Sequence, residues 1–338
     1  MAAYLQNMGH QVHGLDSDLF RNCSYGIFKQ HIPEKIKDLR DINIRDVEGF
    51  DAVIHLAGLS NDVLGDLNPR LTYRINFLSS IRLARLAKHA GVSRFLFSSS
   101  CSNYGASGGE HWLTEESAFH PVTPYGESKV MVEKEVAGMA DNNFHPVFLR
   151  NATAYGVSPR HRFDLVLNNL VAWAYTTGKV YLKSDGTSWR PIVHIEDISR
   201  AFAAALTAPV ENIHNQAFNV GRNKDNYRIA DLAHMVAEIV PNSRVEISSD
   251  HFPDARNYKV DCSKIGKQLP GFEPVWNARK GAEQLLETYQ RLRLSAGEFE
   301  GMRYQRIKHI KYLLQKGNID QNLYWVHETK KIVHDGNI

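Results

Sequence analysis

The strongest constraint in this sequence is a short apolar segment followed by a helical one, a pattern that recurs along the first half of the chain. The apolar segments are rich in Val, Ile, Leu and Phe, which is typical of buried strands. They are QVHGLD (11–16), DAVIHLAG (51–58), RFLFSSS (94–100) and HPVFLRNA (145–152). Strands that alternate with helices predict an α/β fold with a doubly wound parallel sheet. Ligands of such sheets bind at the carboxyl ends of the strands.

Two helices between these strands are well marked. Residues 69–90 are predicted to form a helix that ends at Gly91, because glycine readily takes the left-handed conformation of a helix terminus. A second helix is predicted to begin at Pro124, since proline fits the first helical turn.

Beyond residue 155 the alternation loosens, and we predict a smaller mixed α/β lobe that is interleaved with the first unit. Near the C-terminus, the segment 303–317 carries apolar residues at helical spacing: Tyr304, Ile307, Ile310 and Leu314. This pattern predicts a docked amphipathic helix whose lysines face solvent. A membrane or RNA patch is the alternative interpretation, and the low density of basic charge disfavours it.

Charge and cysteine content exclude several classes of protein. The 338 residues carry a net charge of +3, which gives no case for a nucleic-acid partner. The three cysteines, Cys23, Cys101 and Cys262, match no metal or disulfide spacing, so we expect no metal site and a reducing, cytoplasmic location. No apolar run has membrane-spanning length, and we expect no membrane association.

A tyrosine followed four residues later by a lysine places both side chains on one face of a helix. The ammonium favours the phenolate and lowers the tyrosine pKa, which suits a general base for a substrate hydroxyl. The spacing alone is weak evidence, because the chain contains it five times: Tyr25/Lys29, Tyr125/Lys129, Tyr175/Lys179, Tyr304/Lys308 and Tyr312/Lys316.

Context singles out Tyr125. In TPYGESKVMVEKE, Pro124 places Tyr125 in the first turn of a helix, where it can face a cleft. The strand RFLFSSS ends in three serines at its carboxyl end. We therefore predict that Ser100 holds a substrate hydroxyl against Tyr125 and that Lys129 tunes the phenol.

Four motifs in this order, HLAG, FLFSSSCSNYG, TPYGESK and LRNATAYG, resemble the extended short-chain dehydrogenase/reductase family. That family includes NAD-dependent sugar-nucleotide dehydratases and epimerases of the UDP-galactose 4-epimerase type. The resemblance implies a Rossmann-like NAD-binding domain at 1–155, to which 190–222 return. It also implies a substrate lobe at 156–189 and 223–300, followed by a C-terminal helical extension at 301–338.

The family pattern implies a set of NAD contacts. Asp16 would accept hydrogen bonds from the adenosine ribose and favour NAD over NADP, whose 2′-phosphate it would repel; a turn-capping aspartate is the alternative. Asp38–Leu39 would flank the adenine, with Asp41–Ile42 as a competing register. The expected cofactor-binding residues are Asp16, Asp38, Leu39, Leu56, Ala57, Gly58, Asn76, Ser98, Tyr125 and Lys129.

Two of these expectations have a simpler alternative. Gly58 would bring the backbone close to the cofactor, but a glycine at the end of a strand also serves an ordinary turn. Asn76 would lie on a helix beneath the cofactor, although a buried amide that only bonds its neighbours fits as well. Lys129 would bind the ribose in addition to tuning Tyr125.

Substrate contacts are implied in the same way for Ser100, Asn169, Arg190 and Arg256. The two arginines suit a sugar-nucleotide diphosphate, because a guanidinium bonds phosphate oxygens in pairs. A surface ion pair is the alternative for Arg190. His194 lies in an apolar strand, and we predict a core histidine rather than a catalyst.

Departures from the family pattern limit the substrate assignment. Sugar-nucleotide 4,6-dehydratases carry an Asp-Glu pair where this chain has Cys101 and Ser102, so standard 4,6-dehydration is not expected. Cys101 is either a small buried side chain or a proton donor near the sugar. Thr153 stands where relatives often have Asn, and Pro191 where many have Asp.

The expected function is NAD-dependent epimerisation of a nucleotide-linked sugar, at C4, with Ser100, Tyr125 and Lys129 as the catalytic set. A keto-sugar reductase or dehydratase with the same residues is one alternative, and a non-catalytic relative is another. The resemblance also implies a homodimer through the helices at about 69–90 and 125–140.

One expected part of the fold is missing from the sequence. QVHGLD, with Asp16, occupies the place of the second strand, and only MAAYLQNMG precedes it. We expect a first strand and a glycine-rich pyrophosphate loop, roughly 20 residues in all, to be absent from the chain as given.

Overall fold

The computed structural model describes residues 1–26, 32–248 and 256–326. Its strands are β1 (Gly14–Asp16), β2 (Glu34–Ile36), β3 (Ala52–His55), β4 (Arg94–Ser100), β5 (Trp112–Leu113), β6 (His145–Asn151), β7 (Thr153–Tyr155), β8 (Lys179–Leu182), β9 (Trp189–His194), β10 (Gln216–Val220), β11 (Asn226–Arg228), β12 (Arg244–Ile247) and β13 (Lys259–Val260). Its helices are α1 (Ala2–Asn7), α2 (Asp62–Leu67), α3 (Pro69–Thr72), α4 (Ser79–His89), α5 (Pro124–Ala137), α6 (Val166–Thr177), α7 (Ile195–Thr207), α8 (Val210–Ile213), α9 (Ile229–Ile239), α10 (Ser263–Gln268), α11 (Ala278–Arg291), α12 (Ala296–Phe299) and α13 (Arg306–Gln315).

The main sheet has four parallel strands in the order β10-β6-β4-β3. Successive side chains of a strand point to opposite faces, and β4 is buried on both. Phe95 and Phe97 pack with α4 and α5 on one face, whereas Leu96 packs with α7 and α10 on the other. The predicted doubly wound α/β fold is confirmed.

The helix predicted at 69–90 is interrupted in the middle. α3 runs into a π-helical segment, Tyr73–Leu78, which continues into α4. Gly91 has a φ of +79° directly after the helix, as predicted. Pro124 occupies the first turn of α5, also as predicted, and Thr123 caps that helix by accepting a 3.2 Å hydrogen bond from the Gly126 amide.

The first two strands stand apart from the main sheet. β1 pairs with β2 in a separate two-stranded parallel sheet. The predicted strand at 11–16 is shorter than expected, since only its last three residues form ladder hydrogen bonds. A cleft therefore separates β1 from β3, the edge strand of the main sheet.

The smaller lobe is mixed, as predicted. β9 pairs with β7 in parallel and with β11 in antiparallel orientation, and β12 pairs with β8. An apolar core that is centred on α6, α9 and α11 holds this lobe together. β10 returns to the main sheet beside β6.

The amphipathic C-terminal segment docks as α13, and three of the four residues of the predicted apolar face, Ile307, Ile310 and Leu314, pack in one apolar cluster as predicted. Ile310 and Leu313 are buried against Leu64 and Leu71, next to α2 and α3. Tyr304 was expected on the same face and lies instead in the core of the smaller lobe, because it precedes the first turn of the helix. The end of the predicted extension, 327–338, lies outside the described residues.

Helices of the described part of the chain are too short or too polar to cross a membrane.

Candidate active site

The serine-rich end of β4 lies at the carboxyl edge of the main sheet. After Ser100 the chain turns into a single 3₁₀ turn, Cys101–Tyr104, and the Ser100 hydroxyl caps it by accepting a 3.1 Å hydrogen bond from the Ser102 amide. The strand thus stops at the point where its last hydroxyls reach the sheet edge. This is the position at which parallel sheets bind ligands.

Tyr125 lies beside this strand end. It is in the first turn of α5, and its phenol lies close enough to the Ser100 hydroxyl for that group to lower the phenol pKa. The backbone of α2 closes in on its other side, because a Cβ at Gly65 would lie 3.2 Å from the Tyr125 Cβ. The folded chain therefore brings Ser100 and Tyr125 together at this sheet edge.

Lys129 follows one turn later on α5 and is buried, with 7% of its surface exposed. Its Nζ donates a 2.7 Å hydrogen bond to the Ser98 carbonyl and lies 5.7 Å from the centre of the Tyr125 ring. Burial lowers the pKa of Lys129 to about 8, and the negative charge of Glu133 opposes that shift. Lys129 is thus an ammonium at neutral pH that can be neutralised at mildly alkaline pH.

The tyrosine pKa differs from the sequence prediction. Burial raises the pKa of Tyr125, and the negative charge of Asp62 raises it further. The neighbouring Ser100 hydroxyl and the charge of Arg162 lower it. Lys129 is turned toward the Ser98 carbonyl, with its ammonium 5.7 Å from the centre of the phenol ring, and the net shift of the Tyr125 pKa is upward rather than the predicted lowering.

The other Tyr/Lys pairs within the described residues do not reproduce this arrangement. Lys308 donates to the Glu300 carbonyl, and Lys316 lies over the ring of Tyr312 on the outer helix α13. Lys29 lies outside the described residues. Position at a sheet edge, rather than the spacing, distinguishes Tyr125 and Lys129.

Sequence reasoning missed Asp62. Its Oδ1 accepts a 2.6 Å hydrogen bond from the Thr123 hydroxyl, and its Oδ2 binds Arg256 at 2.5 Å. The carboxylate thus joins the cap of the Tyr125 helix to an expected substrate arginine. The sequence did contain one signal for Asp62. In HLAGLSND it follows, by a few residues, a strand that ends at the same edge of the sheet.

Arg162 is a second residue that the sequence did not single out. It pairs with Asp164 through two hydrogen bonds of 3.0 and 2.7 Å, and Asp164 also accepts a hydrogen bond from Asn61. Its guanidinium lies close enough to Tyr125 to lower the pKa of the phenol. The site therefore has a cation near the phenol.

A buried polar network supports the serine strand from behind. Glu133 of α5 accepts hydrogen bonds from Ser99 and Asn103, and it accepts three more, of 3.1, 3.1 and 2.7 Å, from Arg150 of β6. Arg150 also donates to the Tyr104 hydroxyl. The network ties β4, β6, α5 and the turn after Ser100 together.

The expected adenosine contacts lie around the cleft between β1 and β3. Asp16 is exposed at the end of β1, and its carboxylate accepts a hydrogen bond from the Asp18 amide. Asp38 is engaged with Arg40 through a bidentate pair, whereas Leu39 lines the cleft. Leu56 and Ala57 line the same cleft, at the end of β3.

Gly58 and Asn76 are in contact. The Asn76 amide is buried and both donates to and accepts from the backbone of Leu59, so it clamps the loop after β3. Gly58 has a φ of +149°, and a Cβ there would lie 2.9 Å from Asn76 Oδ1. Asn76 belongs to the π-helical segment, and such segments often occur at functional sites.

The structure places two of the three residues that are expected to bind the diphosphate in contact with each other. Arg190 is buried on β9, and one of its nitrogens donates to the Arg256 carbonyl. Arg256 in turn binds Asp62 beside the Tyr125 helix. Asn169, on α6, donates to the Phe163 carbonyl at the start of that helix.

Two polar residues have structural roles here. Cys101 is fully buried with its sulfur 3.1 Å from the Arg150 carbonyl, and burial raises its thiol pKa, which favours the buried side chain over the proton donor. His194 is buried, accepts from the Glu196 amide and stacks on Trp276, so the prediction of a core histidine is confirmed. Among described residues, no group of three or more His, Cys, Asp or Glu could hold a metal ion.

The residues present fit NAD at both ends. At one end, Asp16 offers an exposed carboxylate to a ribose. At the other, Lys129 offers a buried ammonium beside Tyr125. Gly58 has no side chain, so a cofactor can approach its backbone closely. The neighbouring Asn76 leaves no room for a Cβ at this position.

Comparison with known families decides the assignment. The model of the NAD dependent epimerase/dehydratase family matches residues 1–221, well over half of the chain. The chain belongs to this family. The resemblance to extended short-chain dehydrogenases/reductases is thereby confirmed, as are NAD as the cofactor and an NAD-dependent enzyme as the class.

Relatives within the family are distant. The chain is 28% identical over 260 residues to UDP-glucuronic acid decarboxylase 1 of Arabidopsis thaliana, and the match covers 75% of this chain and 58% of the relative. It is 27% identical over 279 residues to UDP-glucose 4-epimerase GEPI42 of Cyamopsis tetragonoloba, covering 73% and 75%.

Solved structures share the fold over most of the chain. MoeE5 in complex with UDP-glucuronic acid and NAD superposes with a TM-score of 0.73 at 25% identity, covering 86% of this chain and 94% of MoeE5. UDP-glucose 4-epimerase from Thermotoga maritima superposes with a TM-score of 0.74 at 21% identity, covering 87% and 95%.

Proposed function

We propose that this protein epimerises a nucleotide-linked sugar at C4, and that Ser100, Tyr125 and Lys129 are the catalytic residues. The proximity of Ser100 and Tyr125 at the carboxyl end of β4 carries the proposal. It places an orienting hydroxyl and a proton-transfer group side by side, where a single sugar hydroxyl can contact both.

Tyr125 takes the proton of that hydroxyl and later returns it, and Ser100 fixes its orientation. NAD supplies the hydride acceptor and donor in this chemistry. Because burial raises the pKa of Tyr125, the phenolate is scarce at neutral pH, and Arg162 offsets part of that cost. Lys129 is close enough to the phenol to contribute once its ammonium leaves the Ser98 carbonyl.

The substrate is held through its diphosphate by Arg190 and Arg256, and by Asn169 nearby. The two arginines are in contact, and their guanidinium groups offer several donors to phosphate oxygens. UDP-linked sugars appear in the names of the relatives and of the MoeE5 complexes, which supports a nucleotide sugar as the substrate class.

The decisive experiment compares Tyr125→Phe with Tyr312→Phe in an assay that follows interconversion of sugar-nucleotide epimers with added NAD. Tyr312 belongs to a Tyr/Lys pair outside the site, so it is the matched control. We expect turnover to fall by about 100-fold or more for Tyr125→Phe and to stay unchanged for Tyr312→Phe. Equal turnover in both variants would refute the assignment.

The same assay separates the rival functions. An epimerase regenerates its cofactor, so NADH absorbance stays flat at steady state. Stoichiometric change in that absorbance identifies a keto-sugar reductase, and loss of water from the product identifies a dehydratase. No turnover, together with no NAD binding by calorimetry, identifies a non-catalytic relative.

We also propose a homodimer that forms through α4 and α5. Leu78 and Met131 are exposed next to this helix pair, with 57% and 37% of their surface accessible. A cavity of about 380 Å³ there is lined by Phe77, Leu78, Ile81, Arg82, Arg85, Leu86 and Glu135. Light scattering should give a dimer for the parent chain and a monomer for Leu78→Asp; a monomeric parent contradicts the proposal.

For the compartment we propose the cytoplasm. All three cysteines are buried free thiols in the structure, which suits a reducing environment. Fractionation of cells that express the protein tests this directly.

A further inference from the structure

The residues after α13 form a compact loop, 318–326, which we call the C-terminal loop. Asp320 stabilises it, because its Oδ1 accepts hydrogen bonds of 2.8 and 2.9 Å from the amides of Asn322 and Tyr324. Leu323 is buried in the apolar cluster that also holds α13 on α2 and α3. The loop therefore has a defined conformation and lies against the body of the molecule.

Trp325 of this loop contacts the end of β1. Its indole Nε1 donates a 2.9 Å hydrogen bond to the carbonyl of Ser17, the residue that directly follows Asp16. The Asp16 carboxylate in turn accepts a 2.7 Å hydrogen bond from the Asp18 amide. The guanidinium of Arg21 lies 4.1 Å from the centre of the Trp325 ring. The indole thus holds the turn next to the carboxylate that is expected to bind the adenosine ribose.

Tyr324 contacts the second segment expected to bind adenosine, 38–41. The Arg40 guanidinium lies 3.8 Å from the centre of the Tyr324 ring, and the Tyr324 hydroxyl donates a 3.2 Å hydrogen bond to Asp41. Arg40 also forms the bidentate pair with Asp38. One aromatic ring therefore holds both acidic residues of the two competing adenine registers, Asp38 through Arg40 and Asp41 directly.

Asn322 adds two hydrogen bonds to this contact. Its carbonyl accepts one of 2.7 Å from Arg40, and its side-chain oxygen accepts one of 3.1 Å from Arg74. Arg74 belongs to the π-helical segment that contains Asn76. The C-terminal loop thus contacts three segments that are distant in sequence, and each of them carries an expected cofactor residue: Asp16, Asp38 and Asn76.

These contacts exceed what a loop that covers an apolar surface requires. Apolar side chains such as Leu323 would suffice for that purpose. The polar atoms of Asn322, Tyr324 and Trp325 instead contact residues close in sequence to the expected cofactor residues. The family match ends at residue 221, so it assigns no role to this loop.

We propose that Tyr324 and Trp325 are positioning residues for NAD, which hold the segments 16–18 and 38–41 in place for the adenosine half of the cofactor. Each acts through the residues that it holds. A site that is ordered before binding loses less conformational entropy when its ligand binds, which raises affinity. The inference goes beyond the proposed epimerisation and rests on the expected roles of Asp16 and Asp38.

The main test measures binding by the full chain, so its outcome is independent of epimerase turnover. Trp325→Phe removes the indole donor to Ser17 and keeps an aromatic ring beneath Arg21. Trp112→Phe is the matched control, because Trp112 lies on β5 and is 48% exposed. Titration calorimetry compares three probes: NAD, ADP-ribose, which contains the adenosine half of NAD, and UDP, which does not.

We expect Trp325→Phe to raise the Kd of NAD and the Kd of ADP-ribose by the same factor, about threefold to tenfold, as the loss of one hydrogen bond would. The Kd of UDP should stay unchanged, whereas general damage to the fold would weaken all three ligands. Trp112→Phe should match the parent chain with every probe.

An unchanged Kd of NAD for Trp325→Phe would overturn the proposal, as would an equal rise in the Kd of UDP or no measurable NAD binding by the parent chain. Asp16→Ala shows which part is wrong. If it weakens NAD binding and Trp325→Phe does not, the loop has no positioning role. If neither variant weakens NAD binding, the adenosine assignment fails as well.

A second measurement needs no ligand. Amide hydrogen exchange, followed by mass spectrometry, should become about threefold faster or more at 14–18 in Trp325→Phe and at 37–42 in Tyr324→Leu. Exchange as slow as in the parent chain would show that the loop does not hold these segments. If Tyr324→Leu does not fold, Trp325→Phe still decides the question, since it keeps an aromatic ring at its position.

Discussion

Asp62 accepts a 2.6 Å hydrogen bond from the hydroxyl of Thr123, the residue that caps the helix of Tyr125. The other oxygen of the same carboxylate binds Arg256. One side chain therefore connects the position of the proton-transfer group with that of an expected substrate arginine. Its charge also acts against the phenolate, because it raises the pKa of Tyr125.

Replacing Asp62 by Asn should separate these roles. The amide oxygen can still accept from Thr123, so the helix cap is retained, but the charge is lost. The pKa of Tyr125 then falls, and the acidic limb of the kcat profile moves to lower pH, raising kcat near pH 7 by about two- to tenfold. KM for the sugar nucleotide should rise, since Arg256 loses its partner.

A pH series of kcat and KM on Asp62→Asn and on the exposed Asp231→Asn measures this effect. The control should follow the parent at every pH. A profile for Asp62→Asn that shifts toward higher pH, or no shift with folding intact, contradicts the electrostatic role of Asp62.

Lys129 should make stability depend on pH in a predictable direction. Burial lowers its pKa from 10.5 to about 8 in the folded chain. Below pH 8 both states are protonated and the folded state bears the full cost of the buried charge. Between pH 8 and 10.5 the unfolded chain holds a proton that the folded chain has released, so this residue makes stability rise with pH.

Lys129→Met removes that contribution. Urea unfolding at pH 7 and pH 10 should show the variant more stable than the parent at pH 7 by up to about 3 kcal/mol, with the difference shrinking at pH 10. Lys134→Met, on the solvent side of the same helix, should leave the pH dependence unchanged. A difference that grows with pH would show that Lys129 is not desolvated.

Removing one partner of the buried ion pair between Glu133 and Arg150 should lower the free energy of unfolding. Both side chains are 6% exposed. Arg150→Met leaves the Glu133 carboxylate without its cation and should lower the free energy of unfolding by about 3–5 kcal/mol. Adding Glu133→Leu should recover part of the loss, because an apolar pair replaces a lone charge.

Denaturant unfolding of the single and double variants tests this, with Asp141→Asn as the reference. Asp141 pairs with Lys88 on the surface, so its loss should cost less than about 1 kcal/mol. If Arg150→Met costs no more than Asp141→Asn, the network behind Ser99 does not support the serine strand.

Gly58 should not tolerate alanine. Its φ of +149° is unfavourable for a side chain, and the added Cβ would lie 2.9 Å from Asn76 Oδ1. We expect a loss of about 1–3 kcal/mol in stability. Gly266→Ala is the control, since it lies in α10 with open space around it and should be neutral or stabilising by up to about 1 kcal/mol. Thermal unfolding of both variants makes the comparison, and equal stability would contradict the strained turn.

Much of the fold follows from local patterns. The strand RFLFSSS and the helix from Pro124 are both formed where the sequence predicts them, because a buried apolar run and a proline at the first turn are local signals. The surface on which α13 docks could not be predicted in the same way. The apolar face of an amphipathic helix is visible in its sequence, but its partner, here α2 and α3, comes from a distant segment of the chain.

The same distinction between local sequence signals and tertiary packing applies to the candidate site. The sequence by itself determined the α/β class, the family and the identity of Ser100, Tyr125 and Lys129 as candidates, because these depend on residue type and order. Only the tertiary structure decided that the charges of Asp62 and Arg162 act on the phenol, that Lys129 turns to the Ser98 carbonyl, and that the Tyr125 pKa is raised. Burial and distance govern electrostatics, and both arise only when distant segments of the chain pack together.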